Sequence, residues 1–431
     1  MNYAETLTYL FEKLPMFHRI GQAAYKSSLD NTLKLDEIFG HPHLKYKTVH
    51  VAGTNGKGSV SHMLAAVLQS AGYNTGLYTS PHLKDFRERI KINGEMISEE
   101  EVIKWVEDYP VKYNLWDLEP SFFELTATMA FDYFATKEVD IAIIEVGLGG
   151  RLDSTNIITP EVSVITNIGL DHTNLLGETL EKIAFEKAGI IKNNIPAVIG
   201  TTQTETEKVF KDAAKSKHSN LFFADQEYVA GYPMIGLDGK QILNIEKNGA
   251  KVYSEIKLDL LGIYQQKNVP SVLKALDILI ENDWKISTQN IYDGLSNTAK
   301  LTGLMGRWQI IGNNPLIICD TGHNEDGIKM VVSQIKNTAY KTLHFVFGVV
   351  ADKNQDAILQ LLPKKAVYYF TKANIPRAMD GKVLAQKASD FGLKGTSYPS
   401  VIEAFNTAKQ NAGKNDLIFV GGSTFVVAEI L

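Results

Sequence analysis

The run TVHVAGTNGKGSVSHMLAAVLQSAG, residues 48–72, constrains the fold more than any other stretch of the chain. A short β-branched segment, TVHVAGT (48–54), passes through closely spaced glycines into an apolar-periodic helix pattern, SHMLAAVLQSAG (61–72). A strand that turns through glycine into a helix is the first half of a β–α–β unit, and such units close into a parallel sheet covered by helices. TGLYTS (75–80), DIAIIEVG (140–147), VSVITNI (162–168) and IPAVIG (195–200) repeat the short, continuously apolar run of a strand buried on both faces. The intervening SFFELTATMAFDYF (121–134) reads as a helix opening on Ser121, with Glu124 three residues on; Ser98 and Glu101 repeat that capping spacing before a helix near 99–108.

Past residue 220 the pattern changes. LDGK and KNGA fall between alternating runs, which predicts antiparallel hairpins, and a helix is expected over 268–281. The polar, glycine-bearing NTAKLTGLMGRWQ (297–309) suits an interdomain linker. Strand patterns resume at PLIICD (315–320), TLHFVFGVV (342–350), AVYYFT (366–371) and DLIFVGG (416–422). The expectation is a large α/β domain, residues 1–297, with a parallel sheet and a small antiparallel sheet, followed by a smaller Rossmann-like α/β domain, residues 298–431. A chain of 431 residues is long enough for two such cores.

With 44 basic and 49 acidic residues, the net charge of −5 suggests neither nucleic acid nor an anionic membrane as partner. No apolar run approaches the ~20 residues of a membrane span. The opening MNYAETLTYLFEKLPMFHRI lacks the basic start and apolar core of a signal peptide, so a cytoplasmic protein is expected. The single cysteine, Cys319, rules out an internal disulfide or a multi-cysteine zinc site, and inside LIICD it reads as core packing.

Gly53, Thr54, Asn55, Gly56, Lys57, Gly58 and Ser59 form the turn between the first strand and its helix. Glycines let the backbone N–H groups converge, and with the helix N-terminus they make a cradle for phosphate oxygens. Lys57 can reach the terminal phosphates and Ser59 can meet a phosphate or its magnesium. The spacing departs from the general G-x-x-x-x-G-K-[ST] form, so a nucleotide site of a special kind is expected.

Open parallel sheets bind ligands at the carboxyl ends of their strands. Ser80 closes one strand, Glu145 lies in another, and Asp171–His172 follow a third. A hydroxyl, a carboxylate and an imidazole suit a hard cation. Taken singly, Ser80 reads as a cap beside Pro81, and His172 as a satisfied core histidine. Lys187, in LEKIAFEKAGIIK (180–192), is either an exposed lysine paired with Glu186 or a buried one. A buried amine loses its proton more readily, and the neutral form can add carbon dioxide to give a carbamate.

HVAGTNGKGSV, LYTSPHL, FFELT, EVGLGGRLDSTN, LDHTNLLGETLEKIAFEKAGIIK, GRWQ and DTGHNEDG together resemble the folylpolyglutamate synthases. The likeness is to the bifunctional bacterial type that also has dihydrofolate synthase activity, within the Mur ligase superfamily. It implies that Gly53–Ser59 bind ATP, that magnesium is held by Ser80, Glu145 and His172, and that a carbamylated Lys187 supplies a ligand to a second magnesium. It implies that Asn268, Arg307 and Asp320 contact ATP, and that Lys57, His172, Lys187 and His323 are the reacting set. Pterin contacts are expected from Tyr25, Lys26 and Ser27, from Phe123 and Glu124, and from Arg151, Leu152 and Asp153. The family carries histidine where this chain has Tyr264.

The activity implied is ATP-dependent addition of L-glutamate to folate, and to dihydropteroate, through an acyl phosphate, by a monomeric enzyme. The nearest alternative is a Mur-type ligase acting on a cell-wall nucleotide precursor, which usually has a further UDP-binding domain ahead of the loop. A P-loop switch ATPase would leave TSP, LDH and EKAGIIK without a purpose.

Overall fold

A computed structural model of the chain describes residues 1–15, 28–113, 118–351 and 355–431. It divides into two compact units, Met1–Asp259 with Gln265–Leu304, and Leu260–Tyr264 with Met305–Leu431.

The first unit is built on an eight-stranded sheet in the order β4-β3-β2-β5-β1-β6-β7-β8. Its strands are β1 (Lys47–Ala52), β2 (Thr75–Tyr78), β3 (Ile90–Ile92), β4 (Glu95–Met96), β5 (Ile141–Glu145), β6 (Val162–Ile165), β7 (Ala197–Ile199) and β8 (Leu221–Phe223). The pairs β2–β5, β5–β1, β1–β6, β6–β7 and β7–β8 are parallel, as the apolar runs imply, while β3 and β4 add an antiparallel edge. Residues 221–223, expected in a hairpin, instead extend the parallel sheet. Beyond them β9 (Tyr228–Ala230), β10 (Met234–Ile235), β11 (Gln241–Lys247) and β12 (Ala250–Leu258) form the expected small antiparallel sheet.

The helix Lys57–Ser70 is buried nearly all round, with every residue from Gly58 to Leu68 out of solvent, so it serves as a central prop under the sheet. Both capping boxes form. Ser121 and Glu124 bond reciprocally at the start of Phe122–Thr136, and Ser98 and Glu101 do the same ahead of Glu99–Tyr113.

The polar stretch after residue 297 is not a free linker. Helix Thr298–Thr302 belongs to the first unit, because both of its ends are tied there. Asp259 accepts from Ala299 N (2.8 Å) and Lys300 N (3.2 Å) at its start, and the buried Lys91 ammonium donates to Thr302 O (2.8 Å) at its end. The expected boundary at 297/298 therefore falls a few residues before the division at Leu304–Met305.

In the second unit a six-stranded sheet runs β13-β14-β18-β15-β16-β17. Its strands are β13 (Gln309–Asn313), β14 (Leu316–Asp320), β15 (Leu343–Phe347), β16 (Val367–Phe370), β17 (Gly395–Ser397) and β18 (Leu417–Gly421). All pairs are parallel except β13–β14. Cys319 is buried in its core, as expected. Among the described residues no helix is long and apolar enough to cross a membrane.

Candidate active site

The loop after β1 is shaped by what surrounds it. Gly53 and Gly56 sit at φ +147° and +87°, and a Cβ on them would stand 1.9 Å from Thr166 Oγ1 and 2.4 Å from Asn268 Oδ1. The loop is lashed to the segment after β6. Thr54 N donates to Asn167 O (2.9 Å), Asn55 N to Asn167 Oδ1 (2.9 Å), and Thr166 Oγ1 to Asn55 O (2.5 Å). From the other side Gln265 Nε2 donates to Ser59 Oγ (3.1 Å), and Asn268 Nδ2 to Gln265 Oε1 (2.7 Å). Asn268, expected at ATP from a distant segment, thus lies against the loop. The Lys57 ammonium, half-buried, donates to Gly53 O (3.1 Å) and Thr54 O (3.3 Å). A Gly53→Ala change is expected to lower stability by about 2–4 kcal/mol, from the clash and the positive φ together. A denaturant midpoint within error of wild type would refute that.

β2, β5, β1 and β6 are neighbours, with Tyr78 paired to Ile144, Val51 to Glu145 and Ala52 to Ile165. The loops that follow these strands therefore emerge side by side. Ser80 N donates to Glu145 Oε2 at 3.1 Å, which joins two of the expected magnesium ligands. His172 stands on the neighbouring loop at φ 51°, partly exposed, with Nε2 3.8 Å from Asp171 Oδ1.

Lys187 is not an exposed lysine paired with Glu186. It is 4% exposed, and Glu186 instead pairs with Arg151 (2.9 Å). The cause is Gly150 and Gly189. A Cβ on Gly150 would meet Glu186 O at 2.8 Å and one on Gly189 would meet Arg151 Cα at 2.4 Å, so the GLGGR loop packs directly on the last turn of helix Leu180–Ala188. Burial pushes the Lys187 ammonium down to about 7, and the Lys57 charge pushes the same way against Asp171 and Asp153.

The expected pterin contacts divide. Phe123 lies against Gly147, where a Cβ would stand 2.4 Å from its ring, at the end of β5. Glu124 is buried and its Oε2 accepts from Ser121 N (2.6 Å), so the capping role is occupied. Arg151 is exposed and Leu152 half-buried. Asp153 is buried, accepting from Leu148 N (2.8 Å), Thr155 N (3.0 Å) and Thr155 Oγ1 (2.5 Å), which makes it the clasp of its own loop. Tyr25, Lys26 and Ser27 lie outside the described residues.

In the second unit Asp320 ends β14, with Arg307 in the turn ahead of β13, and His323 half-buried beside it with Nδ1 3.0 Å from Thr321 O. Sequence reasoning missed Thr166, Asn167, Gln265 and the buried Arg89. Arg89 Nε donates to His82 Nδ1 (2.8 Å), and its guanidinium lies 5.2 Å from the Phe122 ring centre. The charge-alternating ERIKI run gave no sign that this arginine is buried.

Among the described residues no three His, Cys, Asp or Glu side chains are grouped to hold a metal. Ser80, Glu145 and His172 supply only two such groups and a hydroxyl. That donor set fits magnesium, which takes few protein ligands and keeps water or phosphate for the rest.

Two family descriptions match the chain: Mur ligase middle domain over residues 51–276, and Mur ligase, glutamate ligase domain over 306–424. The Bacillus subtilis dihydrofolate synthase/folylpolyglutamate synthase is 34% identical over 413 residues, 94% of each chain. The Lacticaseibacillus casei folylpolyglutamate synthase is 33% identical, with 88% of this chain and 87% of that one covered. Among solved structures, the Escherichia coli protein FolC in complex with DHPP and ADP superposes with TM-score 0.86 at 28% identity, covering 100% of this chain and 97% of that one. The Mycobacterium tuberculosis folylpolyglutamate synthase complexed with ADP and AMPPCP gives 0.86 at 29%, covering 99% and 97%. The chain belongs to the folylpolyglutamate synthase/dihydrofolate synthase family of Mur ligases.

Proposed function

We propose that this protein is an ATP-dependent carboxylate–amine ligase that joins L-glutamate to folate and to dihydropteroate. The observation that carries the reading is the phosphate loop, held open by Gly53 and Gly56 and bracketed by Asn268 and Gln265, beside the joined Ser80 and Glu145. A Mur-type ligase acting on a cell-wall precursor is set aside, since relatives matching nine-tenths of the chain carry folate names.

Forming an amide from a free carboxylate is unfavourable in water, so the carboxylate must be activated. A substrate carboxylate oxygen attacks the γ-phosphorus of ATP, and the bond to the bridging oxygen breaks to release ADP. The glutamate amine then attacks the acyl carbon, phosphate leaves, and the amine proton passes to solvent. The first unit binds ATP through residues 53–59, and Lys57 neutralises charge on the transferring group. Positioning and electrostatics dominate such a transfer. Arg307, Asp320, His323 and Asn268 are assigned to ATP, with the second unit as the ligase domain. Ser80, Glu145, His172 and a carbamate on Lys187 would hold magnesium, which supplies charge neutralisation at the phosphates. Phe123 and the loop of Arg151, Leu152 and Asp153 are assigned to the pterin, Asp153 by shaping the loop.

The test offers purified protein ATP, magnesium and labelled glutamate with dihydropteroate or with tetrahydrofolate. Label is expected in the pterin product with both. Incorporation with only one would cut the proposal to a single activity, and incorporation with neither would overturn it.

A further inference from the structure

We propose that Tyr264 is a positioning residue: its hydroxyl fixes Asp320, and Asp320 fixes the left-handed turn that carries Arg307. The inference rests on the assignment of Arg307 to ATP made above.

The device is built from the backbone outward. Gln334 is buried and holds the segment before Tyr264 with both ends of its amide, accepting from Ile263 N (2.8 Å) and donating to Leu261 O (2.8 Å). Gly262 leaves room for the tyrosine ring, since a Cβ there would stand 2.4 Å from Cζ. The ring so placed puts its hydroxyl 2.6 Å from Asp320 Oδ2. Burial and the aspartate raise the phenol above its usual range, which keeps it a donor. The same Oδ2 accepts from Trp308 N at 2.7 Å, while Oδ1 accepts from Gly322 N at 2.8 Å. Two donors on one oxygen fill its in-plane lone pairs.

Trp308 sits at φ 45°, a conformation that a bulky L residue adopts only when its surroundings impose it. The Asp320 bond to its N–H is one such constraint, and its buried ring against Phe419 is another. Gly306, on the other side of Arg307, is pinned by Gln309 Oε1 at its N–H (2.8 Å) and by Thr321 N at its carbonyl (3.0 Å). Arg307 is thereby held between two hydrogen-bonded neighbours, and its side chain is half-buried. Tyr264→Phe removes one hydroxyl and leaves the ring in place. Asp320 then keeps a single donor on Oδ2, and the turn loosens. The next residue, Gln265, donates to Ser59 on the phosphate loop. Neighbouring side chains thus bond to Asp320 in the second unit and to the phosphate loop in the first.

The experiment measures steady-state kinetics and AMPPCP affinity by calorimetry for wild type, Tyr264→Phe, Arg307→Gln and the double variant, all as full chains. Tyr264→Phe is expected to lower kcat/KM for ATP and AMPPCP affinity by about 10-fold, the scale of a lost hydrogen bond to a charged group. KM for the pterin and glutamate should stay within about twofold, and in the Arg307→Gln background the added loss should shrink to about twofold or less. An equal loss in both backgrounds, or no loss in either, would overturn the inference. If wild type makes no glutamyl product, the functional reading fails, while the calorimetric cycle still decides the coupling of Tyr264 to Arg307.

Discussion

Replacing Lys187 by methionine is expected to reduce ligase turnover by ~10²-fold or more and, at neutral pH, to make the protein more stable. The two effects have one origin. An ammonium ordinarily titrating at 10.5 is brought to about 7 by burial, with Lys57 adding to the shift. Between those two pH values the unfolded chain binds more protons than the folded one, so stability rises with pH. Below about 7 both states are protonated, and the full cost of burying the charge remains. Methionine fills similar space without the charge, so its stabilising effect should be greatest at pH 7 and below and fade toward pH 10. Chemical melts at pH 6, 7, 8.5 and 10 in buffer free of carbon dioxide measure this. A stability difference that ignores pH would show that the lysine is not desolvated as described. The activity arm is separate. The lowered pKa makes the neutral amine available at neutral pH, the neutral amine adds carbon dioxide with loss of a proton, and the carbamate assigned to magnesium disappears with the side chain. Full turnover by Lys187→Met would remove the carbamate from the proposal and leave the rest standing.

The parts of this molecule that were legible in its sequence are those written locally. The glycine loop, the capping boxes and the core strands of the parallel sheet each depend on a few adjacent residues, whose conformational needs show in their types. The Leu221–Phe223 strand was misread because three residues carry no period, and the turn signals beyond them belonged to the next sheet. Lys187 was ambiguous because its burial is decided by Gly150 and Gly189, whose missing side chains let another loop approach. Residues 260–264 directly precede the helix Gln265–Glu281 in the chain, yet they belong to the second unit. The distant Gln334 and Asp320 bond to them there, and no local pattern announces such partners. The candidate site followed the same division. Lys57 was read from the glycine loop, and Ser80 and Glu145 from strand-end placement, while Thr166, Asn167 and Gln265 brace that loop and bear no motif of their own.

Lys57→Ala is expected to lower kcat by about 10²–10³-fold, the scale on which removing one preorganised charge from a transferring group is felt. Two contributions compete to explain that figure. In the structure the ammonium bonds to Gly53 O and Thr54 O, so it helps to shape the loop as well as to offer a charge. Shape alone is a weak contributor, because Thr166, Asn167, Gln265 and Asn268 hold the loop independently. The alanine variant should therefore fold with a melting temperature close to wild type and still fail in turnover. Lys57→Met, which keeps the stem of the side chain, should fail equally. Had shape been the larger share, the methionine variant would recover most of the rate. The charge also acts on Lys187, so its removal should move that amine's titration upward from about 7. The pH at which the Lys187→Met stability difference begins to fade should then be higher in the Lys57→Ala background. Retention of full turnover by Lys57→Ala would overturn the phosphate-loop assignment. A normal loss of turnover with no movement of the Lys187 midpoint would leave that assignment intact and refute only the coupling between the two lysines.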